Sequence, residues 1–167
     1  KRYSYIIANG IYYSIKDDIT FNKNIAGTQT LADFSDDNLL HQGQYFEYPP
    51  QVGIGEDFET ITLVVKDNVT NEPVFIDSNS IDVYVKDADT GTYSFFEETN
   101  NIFLKGPQDL SYEKRINENG FFEFKFGNGV FGKKISEGDQ ILIYYLKSDG
   151  ESGQLSPGQI DGNQINY

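Results

Sequence analysis

Short runs of alternating apolar and polar residues, separated by turn residues, recur along this chain. The clearest is FEFKF at residues 122–126, where the three Phe side chains fall on one face of a strand and Glu123 and Lys125 on the other. Helical periodicity is almost absent. We therefore predict a mainly β fold, in which antiparallel hairpins form a sandwich or a small mixed β domain with little helix. The predicted strands of its main part are residues 60–66, 81–86, 93–96, 102–104, 121–126 and 140–146.

The N-terminal segment predicts a β-hairpin. Two β-type runs at residues 3–8 and 11–15 flank Asn9-Gly10. Asn-Gly favours a type I′ turn, since both central residues of that turn need a positive φ. The pattern then weakens, and residues 31–40 are typical of either a short helix or an irregular crossing segment.

The strongest internal boundary lies at the two prolines of residues 49–50, because proline ends a strand and glycines follow closely. The predicted organisation is an N-terminal hairpin with its connecting segment at residues 1–50 and a main β domain at residues 51–167. The first part is either a separate appendage or a portion of the same sheet. Because the chain begins at Lys1 and contains no Met, we expect it to be a fragment of a longer protein.

Charge narrows the range of partners. The chain has 26 Asp and Glu against 13 Lys and Arg, which gives a net charge of -13. This charge repels nucleic acid phosphates and anionic lipids, so neither nucleic acid nor a membrane is expected as a partner. No apolar run approaches the roughly 20 residues that span a bilayer. Without any Cys, disulfides, thiolate metal ligands and Cys nucleophiles are excluded.

The sequence GNGVFG at residues 127–132 matches the G-x-G-x-x-G pattern of dinucleotide-binding loops. Such a loop needs a following helix, whose N-terminus holds the pyrophosphate. Here a polar turn and a strand-like run at residues 140–146 follow instead. We interpret the glycines as a tight turn that uses positive φ, with no cofactor. The predicted structural turn residues are Gly10, Gly127, Asn128, Gly129 and Gly132.

Acidic and catalytic motifs are weak. Asp87-Ala-Asp-Thr-Gly91, with Glu98 at the twelfth position, imitates a calcium loop, but its glycine falls at position five and not six. We interpret it as a β-turn, with adventitious Ca²⁺ binding as the open alternative. His41 is the only histidine, and no spacing singles out a pair among the acids. We predict no catalytic residue, no metal site and no small-molecule substrate.

Aromatic residues supply much of the apolar content, with 12 Tyr and 13 Phe. Such residues form sheet cores, and they are also enriched at protein interfaces. Tyr144 and Tyr145 are adjacent in a predicted strand, so they point to opposite faces and do not both enter one core. One of the two is predicted to lie at an interface.

Residues 112–153, YEKRINENGFFEFKFGNGVFGKKISEGDQILIYYLKSDGESG, resemble the baseplate J-like family, the inner-ring wedge subunits of contractile-tailed phage baseplates. In that family a strand leads into F-G-[DN]-G-x-x-G-[KR], a polar turn and an apolar strand that ends in Tyr. The corresponding stretches are FGNGVFGK at residues 126–133 and ILIYY at residues 141–145. Residues 76–100 resemble the family's Ile-Asp pair, V-x-V strand and polar hairpin, and residues 40–43 its short Leu-x-x-Gly element.

The resemblance implies a structural subunit of the virion that is assembled into the tail baseplate in the host cytoplasm. It implies binding to other baseplate wedge subunits and to copies of the same protein, and it supplies no catalytic residues, so the chain is not expected to be an enzyme. One alternative is a carbohydrate-binding or adhesin-type β module with a Tyr-lined groove. A more distant alternative is an acid-pair glycoside hydrolase.

Overall fold

The computed structural model describes residues 1–18, 21–23, 30–32, 40–150 and 165–166, with side chains for residues 1–18 and 40–150. The fold is mainly β with little helix, which confirms the predicted fold class. The described strands are β1 Tyr5–Ala8, β2 Ile11–Ile15, β3 Phe21–Lys23, β4 Thr30–Ala32, β5 Leu40–Gln42, β6 Gln44–Glu47, β7 Gln51–Val52, β8 Thr60–Leu63, β9 Ile76–Lys86, β10 Tyr93–Thr99, β11 Ser111–Ile116, β12 Phe122–Lys125, β13 Gln140–Lys147 and β14 Ile165–Asn166. A 3₁₀ turn, η1, spans Ile102–Leu104. In the described part of the chain, no helix has the length and apolarity of a membrane span.

The chain divides into two compact units. The first unit is discontinuous and comprises Lys1–Phe46, Phe75–Ser80 and Leu146–Tyr167. The second comprises Glu47–Val74 and Ile81–Tyr145. The long strands β9 and β13 each contribute residues to both units.

A four-stranded sheet with the order β14-β1-β2-β5 organises the first unit. The β1-β2 hairpin turns at Asn9 and Gly10, whose φ angles of 54° and 82° are both positive. This backbone conformation confirms the hairpin that Asn-Gly predicts. Ile6, Ala8 and Tyr13 form a small buried cluster on this sheet.

The larger sheet has the strand order β6-β13-β9-β10-β11-β12-β8, and β7 also pairs with β13. In the second unit, β9 pairs with β10, β11 with β12, and β12 with β8 in antiparallel fashion, whereas β10 and β11 run parallel with Glu98 opposite Tyr112. In β12 the side chains alternate as predicted: Phe122 and Phe124 are buried, and Glu123 and Lys125 are partly exposed. The core of this unit is aromatic and aliphatic, and its most deeply buried side chains include Leu63, Val83, Phe96, Ile102, Tyr112, Phe124, Phe126, Ile135, Ile141 and Ile143.

The structure corrects one predicted strand and contains several strands that were not predicted. The predicted strand at residues 102–104 is wrong, since Ile102–Leu104 forms η1. The Asn101 side chain caps this turn by accepting a hydrogen bond of 3.0 Å from the Phe103 N–H. Strand β11 was not expected from its sequence. Of the segment at residues 31–40 predicted as helix or crossing, residues 31–32 lie in β4 and residue 40 in β5, and residues 33–39 fall outside the described residues.

Because of Tyr112, the stability of this core is expected to fall at alkaline pH. Burial, reinforced by the negative charges of Glu98 and Asp82, raises the pKa of its hydroxyl well above the ordinary value. Because the folded-state pKa lies above that of the unfolded chain, the stabilisation is fully present below about pH 10 and is lost as the pH rises beyond it. We expect the wild-type protein to lose about 1 kcal/mol more unfolding free energy than Tyr112→Phe between about pH 9 and pH 11.

Urea denaturation at a series of pH values would measure this difference. Tyr112→Phe keeps the ring that packs against Phe124 at a centroid distance of 5.5 Å, so it isolates the hydroxyl. Equal losses in the two proteins would contradict the assignment of this titration to Tyr112.

Candidate functional site

The segment GNGVFG, residues 127–132, folds into a tight turn held by its own backbone. The Asn128 N–H donates to the Phe131 carbonyl at 3.2 Å, and the Gly129 N–H donates to the Gly132 carbonyl at 3.0 Å. The Asn128 side chain accepts from the N–H groups of Val130 and Phe131 at 3.0 and 2.9 Å. Gly129 and Gly132 have positive φ angles of 82° and 69°. The two glycines thereby supply the conformations that this turn requires.

The turn is also packed too closely for larger residues at two positions. A Cβ atom on Gly127 would overlap the backbone carbonyl of Gly132 and lie 2.5 Å from the Phe131 oxygen. A Cβ atom on Gly132 would lie 2.7 Å from Cδ1 of the buried Ile102. The Gly132 N–H donates to the Lys105 carbonyl at 3.2 Å, so the turn is bound to the segment that follows η1.

This junction presents apolar side chains to solvent. Phe103 stands between Phe58 and Phe131, with ring centroids 5.4 and 5.5 Å away. Their chain neighbours Leu104 and Val130 are 81% and 61% exposed. We call these five residues the loop cluster. The η1 cap and the glycine turn fix the backbone that carries these side chains.

A lysine lies against the loop cluster. The ammonium nitrogen of Lys125 is 4.8 Å from the centroid of the Phe58 ring and 4.7 Å from that of Phe103. Both distances are within the range of a cation–π interaction. The cluster therefore combines exposed apolar area with a positive charge placed on its aromatic rings.

A second group of rings lies on the outer face of the larger sheet. In the register of β9 and β10, Tyr84 is opposite Phe95 and Lys86 is opposite Tyr93. The Tyr84 ring contacts Phe95 at 5.2 Å and Tyr144 of β13 at 6.0 Å between centroids. We call Tyr84, Tyr93, Phe95 and Tyr144 the aromatic face.

The two tyrosines singled out in the sequence occupy different environments. Tyr145 is only 8% exposed and belongs to the core. Tyr144 is partly exposed on the aromatic face, where its hydroxyl donates to the Glu47 carboxylate. Burial, followed by the charge of Glu47, raises the pKa of Tyr144. Of the pair, Tyr144 is the residue with surface available for a partner.

The acidic segment after β9 is a turn between β9 and β10. The Asp87 carboxylate accepts from the Thr90 N–H at 2.7 Å and from the Thr90 hydroxyl at 2.9 Å. These hydrogen bonds lower the pKa of Asp87. Gly91, with φ of 69°, closes the turn. Within residues 1–18 and 40–150, no three His, Asp or Glu side chains are grouped as metal ligands would be.

Comparison with protein families, with curated proteins and with solved structures yields no match for this chain. The role of the candidate surfaces is therefore inferred from their geometry. Sequence reasoning anticipated the glycine turn and placed one tyrosine of the pair Tyr144 and Tyr145 at an interface. It missed the loop cluster, whose side chains come from three separate segments around residues 58, 103 and 131. The local signal that the sequence offered for this cluster was the pair of apolar residues Phe103-Leu104 close to Asn101, a residue type that caps helical turns.

Proposed function

We propose that the chain is a structural subunit of a contractile-tailed phage baseplate wedge, where it mediates protein–protein assembly of the baseplate ring. Its partners in this proposal are other wedge subunits and copies of itself. The observation that carries the proposal is the aromatic face. Further support comes from the resemblance of residues 112–153 to the baseplate J-like family, since the shared glycine motif at residues 126–133 forms a closely packed turn.

The aromatic face has the composition of a protein interface. Tyr93 is 58% exposed and Phe95 is 44% exposed, and the Phe95 ring contacts the partly buried Tyr84. Contiguous exposed aromatic area is costly in water, and Tyr and Phe are enriched in the buried centres of interfaces. Burying the exposed 44% of the Phe95 side chain against a partner contributes about 1 kcal/mol. The face would thus supply a small group of residues with much of the binding energy.

A carbohydrate-binding β module is the second candidate function. It is favoured by the tyrosines of the aromatic face together with Lys86, whose ammonium lies 5.5 Å from the Tyr93 ring centroid, and with the neighbouring Glu47. However, the Tyr84 ring is inclined by 55° to Phe95 and by 82° to Tyr144. The rings therefore do not form one flat stacking platform, which favours a protein partner over a sugar.

The proposal predicts a partner-dependent effect of Phe95. Co-expression of the chain with the products of the genes that neighbour its own should give a defined hetero-oligomer, measured by size exclusion with light scattering. We expect Phe95→Ser to weaken that complex by about tenfold or more. Val69→Ser is the matched control, because Val69 is 93% exposed and outside the aromatic face.

Two outcomes would oppose the proposal. A chain that stays monomeric with every neighbouring gene product would argue against an assembly role. Saturable binding to a glycan array that Phe95→Ser abolishes would favour the carbohydrate-binding candidate instead.

A further inference from the structure

The dipeptide Asn-Gly, which is chemically labile, occurs three times in the chain, at residues 9–10, 119–120 and 128–129. Because glycine has no Cβ atom, its backbone nitrogen can approach the side-chain amide carbon, Cγ, of the preceding Asn. Attack of this nitrogen on Cγ forms a succinimide and releases ammonia, and water then opens the ring to give Asp or isoaspartate. The same reaction is available at all three sites, so the folded surroundings decide which Asn reacts first.

In the glycine turn, hydrogen bonds hold both reacting groups. The Gly129 N–H donates to the Gly132 carbonyl at 3.0 Å. The Asn128 side-chain oxygen accepts from the N–H groups of Val130 and Phe131 at 3.0 and 2.9 Å. Attack of the Gly129 nitrogen on Asn128 would require these hydrogen bonds to break first, so the turn protects Asn128 in the folded chain.

The turn between β11 and β12 holds one of the two reacting groups. The Gly120 N–H donates to the Asn117 carbonyl at 3.0 Å. The Asn119 side chain is exposed, and it forms no hydrogen bond with another residue in the described part of the chain. Asn119 is therefore less protected than Asn128.

The turn between β1 and β2 holds neither group. Asn9 and Gly10 are exposed. Neither the Asn9 side chain nor the Gly10 N–H forms a hydrogen bond with any residue whose position the structure describes. An atom at the Cβ position of Gly10 would meet nothing within 4 Å, so the space beside the attacking nitrogen is open to solvent. The turn must loosen for the ring to close, and the exposed end of a hairpin opens locally at little cost in free energy.

We propose that Asn9 is the site at which this chain deamidates spontaneously, through attack by the Gly10 nitrogen. That nitrogen gives up its proton to solvent base, and its electron pair forms the bond to Cγ of Asn9. The side-chain nitrogen takes up a proton and leaves as ammonia, and one water molecule hydrolyses the succinimide. This site shares no residue with the aromatic face, so it stands independently of the proposed function.

The modification changes the hairpin in two ways. Either product carries a carboxylate where Asn9 carried a neutral amide. Isoaspartate also adds one carbon atom to the main chain between Ala8 and Ile11, which are register partners across the turn. A type I′ turn depends on two standard residues with positive φ, so the isoaspartate form no longer fits the turn that sets this register.

Incubation of the whole chain in mildly alkaline buffer, followed by proteolysis and peptide mass spectrometry, would measure the deamidation rate of each Asn-Gly pair. We expect Asn9 to react at least about tenfold faster than Asn128, with Asn119 between them. In concentrated urea the three rates should converge, because each Asn is followed by glycine and the fold no longer distinguishes the sites. The unfolded chain is therefore the internal control for the effect of structure.

Methyl transfer by protein isoaspartyl methyltransferase would identify isoaspartate in the aged chain. Asn9→Gln is the matched control, because the longer Gln side chain closes a larger ring and reacts far more slowly, and most of the methyl acceptance should be lost in this variant. Three results would overturn the proposal: an Asn9 that reacts no faster than Asn128 in the folded chain, a ranking of the three sites that persists in urea, and methyl acceptance that is unchanged in Asn9→Gln.

Discussion

Replacing Gly127 with Ala is expected to lower the unfolding free energy of the second unit by about 3 kcal/mol. The added Cβ atom would overlap the backbone carbonyl of Gly132 and crowd the Phe131 oxygen. Backbone atoms inside a tight turn do not move aside as the end of a flexible side chain does. The turn must therefore open, which breaks its hydrogen bonds and its contact with Ile102. Chemical denaturation followed by circular dichroism and Tyr fluorescence would measure the change.

Gly129→Ala is the matched control within the same turn. Its φ is 82°, and the nearest heavy atom to an added Cβ is Cβ of Lys134 at 3.7 Å, an ordinary contact. Only the positive φ is penalised, at about 1 kcal/mol. The two substitutions add the same methyl group two residues apart, so their difference isolates close packing. Equal costs for the two variants would show that steric overlap at Gly127 is unimportant.

Phe126→Ala is expected to cost about 3–5 kcal/mol, the largest effect of any single truncation considered for this chain. Phe126 is fully buried. Its ring packs against Phe96 at 5.7 Å and Tyr112 at 6.4 Å between centroids. Truncation would remove the six ring carbon atoms from the middle of this aromatic core, and rings held by neighbouring strands relax only partly into the space.

Val69→Ala provides the reference for Phe126→Ala. Val69 is 93% exposed, and its truncation should change the unfolding free energy by no more than about 0.5 kcal/mol. Both variants can be compared in one denaturation series. A loss below about 1.5 kcal/mol for Phe126→Ala would mean that Phe126 is not at the centre of a tightly packed core.

Local chemistry explains which parts of the fold were predictable. Asn9-Gly10 specifies its turn through residues that tolerate positive φ, and β12 specifies its buried face by strict alternation. In contrast, the run Ile102–Leu104 is too short to carry a period, and the side-chain cap from Asn101 decides its conformation. These outcomes follow from interactions within a few residues.

The sequence pattern did not predict strand β11, and the reason is different. It contains consecutive charges at Glu113, Lys114 and Arg115. These are compatible with a strand because cross-strand partners neutralise them: Lys114 pairs with Glu98 at 2.6 Å, and Arg115 pairs with Glu123 at 2.7 Å. Its parallel pairing with β10 joins segments whose proximity no local pattern encodes.

The candidate surfaces, like the fold, were predictable only where local sequence decides the structure. The sequence predicts that neighbouring strand residues alternate in direction, which separates Tyr144 from Tyr145. It does not reveal which strand lies beside β13, and so it does not predict the contact of Tyr144 with Tyr84. The loop cluster likewise depends on tertiary pairing between η1 and the glycine turn.

The pairing of β1 with β14 sets an order of events during synthesis. Tyr5 is the register partner of Asn166, and Ile6 is that of Ile165. As the polypeptide leaves the ribosome, the β1-β2 hairpin is available early, but the strand that completes its outer edge is translated more than a hundred residues later. Until then, the unpaired backbone N–H and C=O groups on that side of β1 can pair with a strand of another chain as well as with a strand of their own. Slow translation would prolong the time during which this edge of β1 is exposed before β14 is made.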